Sequence, residues 1–218
     1  MKGLGRNVKF MTGFFLKLEI KCYLFLAVLW VVFGRLRDGI GPFVNEQAPF
    51  YIFWISVALV LICAMSHSDM YFKTMVSQGS ARKPAALGML LSQYIFLVIQ
   101  VVILLAVAML TDSNWSLTMK ICPIGLIAVM FILQGIGIIC ATLSMSGHNA
   151  WAVILFLGTI VAFVLACVIL GLKHDFVWSA EMVKPFNNLL FLAAGVVLEI
   201  IGLAAYYKTM QKVDLKLA

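Results

Sequence analysis

Residues 77–88 read SQGSARKPAALG, Ser77 to Gly88, and they separate two long apolar runs. Small polar residues, an Arg82–Lys83 pair and a proline stand here in a chain that is 64% hydrophobic and 11% charged. A soluble domain has about 45–50% apolar residues, and a mean hydropathy of +1.07 leaves too little polar surface to cover a globular core. The apolar runs come in blocks of about 20 residues, long enough to cross a hydrocarbon layer roughly 30 Å thick. The chain reads as an integral membrane protein, and residues 77–88 as a place where it surfaces.

Working outward, the runs predict six spans near residues 20–36, 50–66, 86–110, 121–145, 151–172 and 186–207. The expected fold is all-α, because barrel strands would alternate in polarity over about ten residues and nothing here alternates. The first span is the least apolar. Lys17, Glu19 and Lys21 crowd its start and Arg35 its end, which snorkelling to the headgroups would accommodate. Gly34-Arg35-Leu36-Arg37 follows that run where a small-residue cleavage site would stand, so no cleavable signal is expected. The five cysteines, Cys22, Cys63, Cys122, Cys140 and Cys167, lie in or beside apolar runs without C-x-x-C spacing, as small apolar residues would.

Residues 1–19 predict an amphipathic interfacial helix. At 100° per residue Val8, Met11, Phe14, Phe15 and Leu18 share one face, and Arg6, Lys9, Gly13 and Lys17 the other, with Leu16 and Ile20 as exceptions. Such a helix would lie apolar face down in the inner leaflet; the other reading is the start of a long tilted first span. Residues 20–207 then form the membrane domain and 208–218 a cytoplasmic tail.

Six spans put both termini and the loops after spans two and four on one side. That side carries Lys2, Arg6, Lys9, Lys17, Lys21, Lys73, Arg82, Lys83, Lys208, Lys212 and Lys216; the other carries Arg35, Arg37, Lys120, Lys173 and Lys184. The excess predicts N-in and C-in. The net charge of +7 then reflects topology and contact with anionic membrane lipids, with no need of nucleic acid.

Nothing on that side can hold an enzyme. The segments are 67–85, Ser146–Asn149 and a short tail, and the phosphate loop G-x-x-x-x-G-K-[ST] is missing. Neither H-E-x-x-H nor G-x-S-x-G occurs, no residues show metal-ligand spacing, and His67, His148 and His174 stand apart. No catalytic residue, metal or cofactor is expected in this chain. Within the spans, Glu199 sits between Val196-Val197-Leu198 and Ile200-Ile201, so it should face protein or water. Gln93 and Gln100 lie seven apart on one face, and Gln134 adjoins Gly135 and lies near Gly137. These groups could line a path or pack helices together. Residues 173–188, KHDFVWSAEMVKPFNN, have interfacial composition. They read equally as re-entrant helices or a loop, with Pro185 and Asn187 starting the last span.

An N-terminal amphipathic helix, six spans and the stretch Gly79-Ser80-Ala81-Arg82-Lys83 through Gly88 and Leu90 together resemble an ABC-2-type transporter permease. In that family the loop often reads G-x-S-R-K-x-x-x-x-G-K-x-L. This chain has one extra residue between Ser80 and Arg82, Met89 in place of the second lysine, and Pro84 where a helix could continue. The resemblance implies a type V exporter-like half-transporter in a bacterial cytoplasmic membrane, dimeric with a second copy or paralogue. A separate ABC ATPase would bind ATP and Mg and dock at Ser80, Ala81, Arg82, Lys83, Pro84 and Ala85. The cargo would be a hydrophobic or amphipathic peptide, lipid-like molecule or drug. The alternative is an ATP-independent small carrier or a lipid-acting membrane enzyme. A carrier often shows internal repeats, and none relates residues 20–110 to 121–207.

Overall fold

The computed structural model describes residues 3–36, 48–66, 69–77, 79–111, 120, 122–173 and 187–210, and among them it is all-helical. The helices are α1 (Leu4–Leu36), α2 (Ala48–Met65), α3 (Asp69–Ser77), α4 (Arg82–Leu110), α5 (Pro123–Met145), α6 (Asn149–Lys173) and α7 (Leu189–Met210). Among the described residues α2, α4, α5 and α7 are long and apolar enough to cross a membrane, the architecture of a multi-pass membrane protein. The expected spans at 20–36 and 151–172 fall on α1 and α6.

The polar interruptions are helix ends. After α3, Ser80 N–H donates to Met75 O at 3.1 Å and Gly79 N–H to Val76 O at 2.9 Å. After α5, His148 N–H donates to Leu143 O at 2.9 Å and Gly147 N–H to Ser144 O at 3.1 Å. Both are Schellman closures, and they require the left-handed backbone seen at Gly79 (φ 83°) and Gly147 (φ 81°). Pro84 does not break the helix that follows. It lies in the first turn of α4, where its missing N–H would have had no intrahelical acceptor.

Asparagines organise the opposite end differently from expectation. Asn188, rather than Asn187, caps α7, its Oδ1 accepting from Leu190 N–H at 2.6 Å and Phe191 N–H at 3.1 Å. Asn187 Oδ1 instead accepts from Ile124 N–H at 3.1 Å in the first turn of α5, a helix whose own cap residue Cys122 offers no side-chain bond. Residues 174–186, with the anticipated re-entrant segment, His174 and Pro185, lie outside the described residues, as do His67 and the tail beyond Met210.

α5 is the central helix. Gly135 faces α7 at Leu198 and Glu199, Gly195 and Gly202 of α7 face back onto Ala128 and Gly135, and Gly137 faces Leu61 and Ala64 of α2. The matched order of the α5–α7 contacts makes those two helices parallel. Such close approach is how helices associate where lipid is as apolar as protein and dispersion must supply the attraction.

α1 carries the stretch for which an interfacial helix, or the start of a long first span, was expected. It is a single helix from Leu4 to Leu36, and its apolar face is turned into the protein. Met11 and Phe15 have no exposure, while Phe14 and Leu18 pack partly buried against the same cluster. The Phe15 ring lies 5.5 Å from that of Phe96 on α4. The reason is the small surface offered by α4, where Ala85, Gly88 and Ser92 let the α1 backbone approach. Arg6, Lys9, Lys17 and Lys21 stay exposed.

Candidate functional site

Asn7 and Arg6 of α1 grip the polar stretch that opened the reading. Ser80 Oγ accepts from Arg6 Nη2 at 3.1 Å and donates to Asn7 Oδ1 at 2.8 Å. The Asn7 amide nitrogen donates to Pro84 O at 3.2 Å. One buried amide thus satisfies both its ends on the segment leading into α4. A Cβ at Gly88 would stand 2.7 Å from Asn7 Cβ, so glycine is what admits Asn7 there.

This network divides the six candidate coupling residues. Ser80 is buried, and Ala85 has no exposure, packing in the cluster with Met11, Met75 and Met89. Neither can present a surface to a partner. Ala81, Arg82 and Lys83 are exposed and Pro84 is half-buried. What remains is a three-residue surface standing on an anchored base. Phe72 and Met75 tie α3 into the same base. Met145 and Met210 join that cluster, so the start of α1, α3, the start of α4 and the ends of α5 and α7 gather at one end of the bundle.

The second candidate set is a row of polar groups between helices. Glu199 is buried on the α5–α7 seam, one turn from Gly195 on one side and Gly202 on the other, and the Tyr94 side chain of α4 lies beside it. Its Oε1 has no partner. Gln93 and Gln134 are buried with neither amide atom bonded. Gln100 is bonded, and its partner is Glu19 of α1, with Nε2 donating to Oε1 at 2.8 Å. Glu19 therefore does not snorkel; it is 3% exposed. Nearby, the Tyr23 and Ser56 hydroxyls meet at 3.2 Å and join α1 to α2.

Asn7 and Tyr94 do not stand out in the sequence and Glu19 reads there only as a snorkelling group, though a signal exists for Asn7 and Glu19. Asn7, Met11, Phe15 and Glu19 repeat at i, i+4, so both polar residues share the buried stripe of α1. Among the described residues no group of His, Cys, Asp or Glu is arranged to hold a metal, and His148 is exposed. No family model matches the chain, and no curated protein or solved structure is significantly similar to it.

Proposed function

We propose that this chain is the transmembrane permease subunit of an ATP-driven exporter of the ABC-2 type. It would sit in a bacterial cytoplasmic membrane with N-in and C-in orientation, six spans supplied by α1, α2, α4, α5, α6 and α7, and a second permease copy or paralogue beside it. The observation that carries the reading is the exposed trio Ala81, Arg82 and Lys83 at the start of α4, braced from beneath by Arg6 and Asn7.

An anchored surface of this kind transmits displacement. The partner ATPase binds ATP and Mg and closes; this chain adds no catalytic group. Force applied at Ala81–Lys83 passes directly into α4, and through Ser80 and Asn7 into α1, so the two helices move as one body. Their shift against the α2–α5–α7 unit would alternate access for a hydrophobic or amphipathic cargo.

Co-purification of a nucleotide-binding ATPase and its stimulated ATP hydrolysis test the proposal. Exposed ion pairs contribute about 0–1 kcal/mol each, so Arg82→Ala alone should change little. Ala81→Trp should reduce coupling strongly, since a cleft rejects added volume. Unchanged coupling in a correctly assembled Ala81→Trp, Arg82→Glu, Lys83→Glu triple variant would overturn the docking assignment.

A further inference from the structure

Glu19 and Gln100 meet where α1 lies on α4, with 3% and 0% exposure. One hydrogen bond joins them, Gln100 Nε2 to Glu19 Oε1 at 2.8 Å. The remaining oxygen of each group, Glu19 Oε2 and Gln100 Oε1, is buried and meets no donor. If the carboxyl is ionised, both are pure acceptors. A buried carboxylate left in that state is strongly disfavoured unless a cation or further donors compensate it.

Among the described residues the surroundings offer no such compensation. The titratable groups among them that share its field are Tyr23 on α1 and Cys63 on α2, neither of them cationic. On the facing stretch of α4 the neighbours are Phe96, Leu97 and Leu104. Lys17 and Lys21, two residues to either side on α1, point outward and are exposed.

We propose that Glu19 binds a proton and closes a two-hydrogen-bond carboxylic acid–amide pair with Gln100, so that a bound proton holds α1 to α4. A single proton on Oε2 gives Gln100 Oε1 its donor and removes the buried charge. A metal cation fits less well, because a hard ion such as Ca2+ takes roughly 6–8 oxygen ligands and only two oxygens here lack a donor. The inference does not depend on the ATP-driven reading, since the pair lies among α1, α2 and α4, away from the exposed trio.

The sign of the pH effect follows from proton counts. The unfolded chain releases this proton above about pH 4.3, while the folded chain keeps it. The folded state then binds more protons, and stability falls as pH rises from there through the folded-state titration.

Infrared spectroscopy of the full-length protein in lipid bilayers near neutral pH reads the proton directly, through the carbonyl stretch of a protonated carboxyl. One such band should be lost in Glu19→Gln and shifted, not lost, in Gln100→Leu. Thermal unfolding provides the second readout. Glu19→Gln should be at least as stable as the parent at neutral pH and should lose part of its decline toward alkaline pH, because the new amide N–H replaces the acid O–H. Identical infrared spectra for the parent and Glu19→Gln would overturn the proposal. So would failure of Glu19→Gln to assemble, or stabilisation of the parent but not of Glu19→Gln by added sodium or calcium.

Discussion

Ser80 Oγ donates to Asn7 Oδ1 at 2.8 Å across 73 residues of sequence, and this bond fixes the start of α1 on the start of α4. Because Asn7 also holds Pro84 O, its loss would cost both Ser80 and Pro84 a bond at once. Asn7→Leu should lower stability by about 1–3 kcal/mol and Ser80→Ala by about 1 kcal/mol. Thermal unfolding in detergent, run as a double-mutant cycle, should show the two effects to be less than additive.

The α5–α7 seam should tolerate no side chain at its crossing. A Cβ on Gly135 would lie 3.0 Å from the backbone nitrogen of Glu199, and backbone cannot swing aside. Gly135→Ala should cost about 1–3 kcal/mol by overpacking, whereas Gly158→Ala, with open space around it, should be neutral or stabilising. Unfolding midpoints of the two variants compare them directly.

Glu199 and Tyr94 should be coupled modestly. Interhelical hydrogen bonds of membrane proteins average about 0.6 kcal/mol in double-mutant cycles. Tyr94→Phe and Glu199→Gln should each cost that order, and Glu199→Leu more, because it removes the polar group that the half-buried Tyr94 side chain lies against. The cycle of Tyr94→Phe with Glu199→Leu should return a coupling of about 1 kcal/mol or less.

Gln134 should be dispensable for folding. Both of its amide atoms are buried without partners, so Gln134→Leu removes a desolvation cost and should raise stability by about 1 kcal/mol. If the amide contacts cargo instead, transport will fall in the stabilised variant. Measuring unfolding and transport on the same preparation separates packing from path.

Orientation can be read at Ala81. With the native cysteines replaced, Ala81→Cys should react with an impermeant thiol reagent only when the cytoplasmic face is opened. Ser80→Cys should react slowly even then, because position 80 is 4% exposed and enclosed by α1 and α4.

Helical class and four runs able to cross a membrane were legible in the sequence; the signals that close the helices are also local, though Pro84 reads there as an interruption and Asn187 as the α7 cap. Twenty-residue apolar blocks, glycine beside polar residues at 79 and 147, and proline at 84 and 123 act through the backbone within a turn of where they stand. Burial of Glu199 was legible too, since a carboxyl amid Val196–Ile201 has to turn from lipid. Which helix each face meets was not legible. Hydrophobic periodicity marks an apolar stripe, but lipid and protein are equally apolar, so the stripe of Met11, Phe15 and Leu18 reads the same whether it enters the bilayer or α4. Only the packed structure decides, because it alone brings Gly88 against Asn7, Gly135 against Glu199 and Gln100 against Glu19, and short-range contact selects between partners that polarity cannot distinguish.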